Sequence, residues 1–475
     1  MFATTIGREG RGVLLGGLAL ALLLGSHSGA TGGTDDLTRL LALAFFVGTV
    51  VLTISAPHVL TAVAIPVFAS IPMLKVLFIP WIGPLKDVMI VAAVIGIAVL
   101  ALQRRLAHLH HPVDGILVIL IVAFLGLYVF NLGAGFDAEA YAGPWQQGIR
   151  LTAEPLLLLL VGLTVREPGR VLRWSLASLL VTGSVVALYG LYQQKVGQWA
   201  LVDMGYAFDV NVRTINGKLR SFGTLDDAFA YAAFLLFGVA ALLFMRVNRW
   251  VAASVSTLLL LGLLASYVRT AVVVIAALGG VWLARKGQSV IAVLALVGAM
   301  AASVVLLASQ GATQSRTVEA APNTYLSING RTDVWKAVLG DKVKWPLGKG
   351  VGEVGTAADR SKFGVYQTRE SARAQATTAV DSGYLAVVAD VGFLGLAVFL
   401  CILGRLAQLC VRFARAGDRA GWIGGSILLV MIIDAVTRAS FIGFPTAFLG
   451  LMLVGIAINV GSSATVVPRA LDPSR

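Results

Sequence analysis

The chain has 475 residues, 58% of them hydrophobic and 13% charged, with a mean hydropathy of +0.86 and a formal net charge of +13 at pH 7. Soluble domains are about a quarter charged, so this composition excludes a water-soluble globular fold. The basic excess sits in short loops between apolar runs, where it marks topology rather than a nucleic-acid partner.

A helix needs about 20 apolar residues to cross the hydrocarbon core. Runs of about that length predict spans at 12–31, 38–56, 58–83, 87–103, 113–132, 149–165, 171–191, 228–246, 250–268, 270–284, 288–308, 383–404, 421–440 and 443–461. The fold class is therefore an all-α polytopic membrane protein of 12–14 transmembrane helices, with 14 favoured. The first run, flanked by Arg8 and Arg11 and by small residues near Ser28 to Ala30, reads as a retained anchor or as a cleaved signal peptide. The third holds Pro66, Pro72, Pro80 and Lys75, which fits a kinked or re-entrant segment as well as a plain crossing. Cys401 and Cys410, the two cysteines of the chain, lie in one apolar run and its flank, so they give no disulfide or metal framework.

Loops at 104–111, 166–173, 246–249, 285–286 and 405–419 are rich in Arg and Lys. With 14 spans they share one side with both termini, and the positive-inside rule makes that side the cytoplasm. The other side receives segments 133–148, 192–227 and 309–382. The organisation is thus a membrane part at 1–308 with the outer loop 192–227, a large outer loop at 309–382, and three final spans with a tail at 383–475. The large loop carries ten Lys and Arg against seven Asp and Glu, against the topological bias.

Three arginines on that outer side are candidate anion ligands: Arg220, Arg269 and Arg331. Arg269 interrupts about 35 apolar residues, and an arginine at membrane depth must face protein, water or an anion. A guanidinium offers paired donors to phosphate oxygens, although an interfacial snorkelling role is the alternative. Asp226 and Asp227 open the eighth span, where a carboxylate caps a helix as readily as it catalyses. Asp434 and Arg438, four residues apart, suit a structural pair on one helix face. Asp390 lies inside the twelfth span and is either functional or held by structural hydrogen bonds. Asp381 stands where the large loop re-enters the membrane. It can act as a general base or acceptor orienter, as a helix-end carboxylate, or as a partner to a neighbouring arginine.

Motifs for other chemistries are missing, including Walker A, HExxH and GxSxG. The run WPLGKGVGEVG at 345–355 resembles a phosphate loop superficially, since no hydrophobic strand precedes it. The five histidines, three of them clustered in the loop at 104–111, give no metal site, so no metal or nucleotide is expected as cofactor.

In order, these pieces resemble the O-antigen ligase and O-antigen polymerase (Wzy-like) superfamily of bacterial membrane glycosyltransferases. The resemblance rests on Arg220 followed by Phe222-Gly223-Thr224, on Ser266-Tyr267-Val268-Arg269-Thr270 between two spans, and on Gly330-Arg331 with Trp335. It continues through Pro346-Leu347-Gly348-Lys349-Gly350-Val351-Gly352, then Asp381-Ser382-Gly383-Tyr384-Leu385 and Asp390-Val391-Gly392. It covers roughly residues 215 to 400. Two positions depart: Leu225-Asp226-Asp227 replaces the family's Asn-Pro-Asn, and Asp381 replaces its His, so the polymerase branch is the closer resemblance.

The resemblance implies a GT-C-like membrane fold with its active site at the periplasmic face of the bacterial inner membrane. It implies a substrate, an oligosaccharide on undecaprenyl diphosphate, and as further partners membrane lipids and a chain-length regulator or export machinery. Arg220, Arg269 and Arg331 would hold the diphosphate, Asp381 would serve the acceptor, and Trp335, Tyr384, Asp226, Asp227 and Asp390 are secondary candidates. Transfer to a lipid A core or another acceptor is the alternative within the same chemistry. A transporter or flippase, or a non-catalytic assembly scaffold, is the reading from outside it.

Overall fold

The structure is a computed structural model that describes residues 33–78, 82–102, 114–131, 138–207, 211–215, 217–288, 346–352 and 382–464. The spans expected at 12–31 and, after residue 288, at 288–308 lie outside the described residues, as does nearly all of the large loop. Among the described residues there are twelve helices and one β-hairpin. The helices are α1 (Gly33–Ser55), α2 (Pro57–Leu77), α3 (Leu85–Leu102), α4 (Gly115–Phe130), α5 (Ala138–Thr164) and α6 (Pro168–Asp203). After the hairpin of β1 (Arg213–Ile215) and β2 (Lys218–Arg220) come α7 (Ala228–Phe244), α8 (Arg249–Ser266) and α9 (Thr270–Arg285). The chain closes with α10 (Gly383–Arg415), α11 (Arg419–Asp434) and α12 (Thr446–Ala464).

Six of these helices are long and apolar enough to cross a membrane, and four shorter apolar segments accompany them. The protein is a mostly helical, multi-pass membrane protein. Its helices sort by what surrounds them. From Ala447 through Ala457, α12 is buried on all sides, as a helix apolar all round must be. By contrast α4 exposes Ile116, Ile119, Val122 and Phe130, a lipid-facing stripe. The tightest crossing joins α5 to α12. A methyl on Gly162 would stand 2.5 Å from the Met452 carbonyl, and one on Gly455 would stand 2.5 Å from that of Leu159. Two bare backbones can approach so closely because neither residue has a Cβ. Asn459 then donates from α12 to the carbonyls of Gly162 (3.3 Å) and Val165 (2.9 Å).

Three elements differ from their predicted bounds. Residues 138–148 and 192–203, expected as outer loop, continue α5 and α6 as helix. Beyond the bilayer, water satisfies polar side chains, so hydrophobicity stops marking where a helix ends. The 36 residues of α6 break at Gly197 (φ 80°, ψ 173°), and the polar extension grips the hairpin loop described below. The proline-bearing third run is one helix, α2, with Pro66 and Pro72 inside it. The Met73 N–H donates to the Thr224 carbonyl (3.1 Å), and the Thr224 hydroxyl donates to the Ala69 carbonyl (2.7 Å). Thr224 thus bonds to backbone groups on both sides of Pro72, which itself has no N–H to donate.

Candidate active site at the hairpin end of the bundle

One end of the bundle gathers the hairpin, the starts of α7, α9, α10 and α12, and the ends of α2, α6, α8 and α11. Its centre is the segment Arg220-Ser221-Phe222-Gly223-Thr224. Two adjacent glutamines on the extension of α6 clamp it. The fully buried Gln193 accepts from the N–H groups of Phe222 (3.1 Å) and Gly223 (2.9 Å) and donates to the Gly223 carbonyl (2.9 Å). Gln194 donates to the Leu219 carbonyl (2.7 Å), Ser221 Oγ (2.9 Å) and the Ala265 carbonyl (3.1 Å). Buried backbone polar groups cost 1–3 kcal/mol each when unpaired, so this pairing is what lets a non-helical turn sit inside the bundle.

The clamp aims Arg220 at the α8–α9 junction. Its guanidinium lies 4.6 Å from the Phe229 ring centre, its Nε donates to the Ser266 carbonyl (3.3 Å), and the residue is 3% exposed. Ser266 ends α8, and Arg269, three residues on, stands at the N-cap position of α9 and is half-buried. The structure therefore brings Arg220 and the Arg269 junction together. Arg331 and Trp335 lie outside the described residues, as does Asp381.

Asp227 caps α7, accepting from Phe229 N–H and Ala230 N–H at 2.7 Å each. It also faces Arg438 at 3.7 Å. Burial raises its carboxyl, but Arg438, the Ala230 N–H, Arg213 and the Phe229 N–H outweigh that and hold it below the ordinary carboxylate value. Arg213 is the direct cross-strand partner of Arg220 in the hairpin, a like-charge pairing that this carboxylate offsets. The Asp226 carbonyl accepts from Asn211 Nδ2 (3.0 Å).

The Asp434–Arg438 pair forms at 3.8 Å, but in the turn beyond α11 rather than on a helix face, because α11 ends at Asp434. Ser440 Oγ donates to the same carboxylate, and Arg438 also reaches Thr446 Oγ1 (3.4 Å). The backbone of this turn receives the start of α10: the Gly383 N–H donates to the carbonyls of Ala435 (2.9 Å) and Arg438 (3.0 Å). The residue after Asp381, Ser382, is therefore buried against the Arg438 turn. Tyr384 is tied back as well, its hydroxyl donating to the Ile432 carbonyl (2.9 Å).

The Gly-rich run and the Asp390-Val391-Gly392 motif interlock. α10 breaks at Gly392 (φ 71°, ψ −170°), and residues 346–352 lie in the break. There the Lys349 N–H donates to the Ala389 carbonyl (2.8 Å), and the Leu394 N–H to that of Pro346 (3.3 Å). Asn131, at the end of α4, bridges the two with its amide, donating to the carbonyls of Leu347 (2.5 Å) and Asp390 (2.6 Å). The glycines of this run serve backbone packing. Asp390 sits beneath them, buried, with Tyr128 Oη donating to Oδ2 (3.3 Å), while Oδ1 has no hydrogen-bond partner among the described residues. Tyr128 and Asn131 hold Asp390 rather than the arginine cluster.

Sequence reasoning missed one charged group. Lys86 pairs with Asp87 and with Glu154 (2.7 Å), Arg150 reaches Asp87 (3.3 Å), and Lys86 Nζ lies 5.6 Å and 5.1 Å from the rings of Phe444 and Phe448. Glu154, an acid inside a predicted span, was the available signal. Among the described residues, His, Cys, Asp and Glu side chains do not gather in threes suited to a metal ion.

Four arginines, Arg213, Arg220, Arg269 and Arg438, and three carboxylates, Asp226, Asp227 and Asp434, gather at this end. Residues 254–400 match the O-antigen ligase family model, Wzy_C. The matched stretch contains Arg269, the Gly-rich run and Asp390, and it supports the resemblance to the O-antigen ligase and polymerase superfamily. The chain thus carries an O-antigen ligase-type segment at residues 254–400. Arg220 and Arg438 lie outside the matched stretch yet bond to it, through Ser266 and Gly383. No curated protein matches the chain.

Proposed function

We propose that the chain is a membrane glycosyltransferase that polymerises undecaprenyl-diphosphate-linked oligosaccharide repeat units into a cell-surface polysaccharide. The reaction would run at the periplasmic face of the bacterial inner membrane. The observation that carries this reading is the O-antigen ligase match at 254–400 combined with the packing of Arg220 onto the same α8–α9 junction that holds Arg269.

The chemistry follows from the donor. An acceptor hydroxyl attacks the anomeric carbon, the bond from that carbon to the diphosphate oxygen breaks, and undecaprenyl diphosphate departs with its negative charge. Asp381 takes the hydroxyl proton. Arg220, Arg269 and Arg331 stabilise the charge on the leaving group, and preorganised donors of this kind contribute on the order of 10²-fold or more each. A positioned base adds roughly 10²- to 10⁴-fold. Because the diphosphate is already an activated leaving group, neither metal nor nucleotide is required. Partners that set chain length or export the product would act on the growing polymer.

A second reading, transfer of the glycan to a lipid A core or another non-polyprenyl acceptor, is favoured by the description of the matched family itself. The test is purified protein in nanodiscs with lipid-linked repeat units, with and without a chelator. Chain growth unaffected by chelator supports the polymerase. Product on a lipid A core alone supports the ligase, and full turnover in Arg269→Ala and Arg331→Ala refutes the diphosphate site.

A further inference from the structure

The opposite end of the bundle holds a second set of arginines that glycosyl transfer does not use. Arg285, at the end of α9, lies over the Phe244 ring (5.3 Å), and Phe244 stacks on Trp422 of α11 (5.9 Å, 16°). Arg246 follows Phe244 by two residues and Arg419 precedes Trp422 by three, so both belong to the rim of this aromatic pair. The charges of Arg246 and Arg285 both act on Arg419. Alongside, Arg249 lies over Trp250 (5.3 Å) and Lys286 over Trp282 (5.4 Å), and Trp250 is 71% exposed.

Two other arginines at this end have acidic partners, Arg405 with Asp114 and Arg170 with Glu167 (3.5 Å), while Arg249, Arg412 and Arg415 have none within ion-pair distance among the described residues. Among the described residues, Arg246, Arg285 and Arg419 have none within ion-pair distance. The nearest acid in sequence, Asp418, is turned into α11 as its cap, accepting from the Ala420 N–H (2.9 Å). Packing of α7, α9 and α11 therefore holds three like charges together, an arrangement that an anion would relieve. Exposed tryptophans mark the depth as that of lipid headgroups.

We propose that Arg246, Arg285 and Arg419, around the Phe244–Trp422 stack, form a binding site for the phosphate of an anionic membrane phospholipid. Guanidinium groups take phosphate oxygens in pairs, and Phe244, itself fully buried, holds the Arg285 guanidinium in place at the rim. A basic residue at a membrane surface contributes about 1 kcal/mol toward anionic lipid, which is about five-fold each and on the order of 10²-fold for three.

The experiment is native mass spectrometry of the full chain released from nanodiscs of phosphatidylglycerol or phosphatidylcholine, with lipid adducts counted after delipidation. Retention of phosphatidylglycerol over phosphatidylcholine, lost in the triple variant Arg246→Ala/Arg285→Ala/Arg419→Ala and kept in Arg170→Ala, is expected. If the triple variant does not fold, Arg246→Ala, whose side chain is exposed, should still weaken retention about five-fold. Equal retention in the variants, equal binding of phosphatidylcholine, or complete displacement by millimolar inorganic phosphate would overturn the proposal. The outcome is independent of whether the chain polymerises sugars.

Discussion

Substituting Gly392→Ala tests the interlock between α10 and the Gly-rich run. The backbone there (φ 71°, ψ −170°) lies in a region essentially reserved for glycine, and another residue held in it costs about 1–3 kcal/mol. The added methyl would stand 1.7 Å from the Pro346 carbonyl oxygen and 2.5 Å from the Gly348 nitrogen. Both neighbours are backbone, so the overlap cannot be absorbed by a rotamer change, and residues 346–352 must leave the break. With them go the bonds from Lys349 N–H (2.8 Å) and Leu394 N–H (3.3 Å), about 1 kcal/mol each. The sum, about 3–5 kcal/mol, corresponds to local opening on the order of 10³-fold more frequent. Hydrogen–deuterium exchange of the peptides covering 346–352 and 389–394 reads this directly, and Gly404→Ala, whose methyl meets nothing within 4 Å, is the control. Wild-type exchange in the Gly392→Ala peptides would show that the interlock does not depend on this glycine.

Gln193→Leu strips partners from two N–H groups and one carbonyl at a fully buried site, each worth about 1–3 kcal/mol, so size-exclusion profiles should show loss of the folded species. Thr224→Val leaves the Ala69 carbonyl beside Pro72 without its partner and should lower stability by about 1–3 kcal/mol in denaturant titration. Asp227→Asn should weaken the α7 cap, and its pH dependence has a fixed sign. Since the folded carboxyl titrates below its ordinary value of 3.8, its stabilisation is fully present above that range and fades as pH falls below about 4. Apparent melting temperatures of wild type and variant should therefore differ by a constant amount at neutral pH and converge in acid. Arg220→Lys loses the planar contact with Phe229 and the Nε bond to Ser266, and turnover in the glycan assay should fall on the order of 10²-fold.

Much of the site was visible in sequence as separate pieces, and the pieces acquired reasons only when packed. Asp227 and Arg438 are 211 residues apart, and nothing local links them; the α7 start and the turn after α11 meet because both helices share the bundle core. Asp390 was legible as an unusual acid within an apolar run, but its partner Tyr128 belongs to α4. The pair Gln193-Gln194 looked like ordinary polar loop, since nothing in a glutamine pair announces three buried backbone groups elsewhere that need it.

The sequence by itself determined that this chain crosses a membrane repeatedly as helices. In hydrocarbon a backbone must satisfy its own hydrogen bonds, so long apolar runs leave little alternative. It also determined the order of motifs that resembles the O-antigen ligase and polymerase superfamily, because Arg and Asp at membrane depth are costly and mark themselves out. The tertiary structure alone decided where helices end in polar sequence, and which carboxylate faces which arginine. It also decided why the glycines at 348 and 392 are glycines: each is fixed by an approach of backbone from another part of the chain.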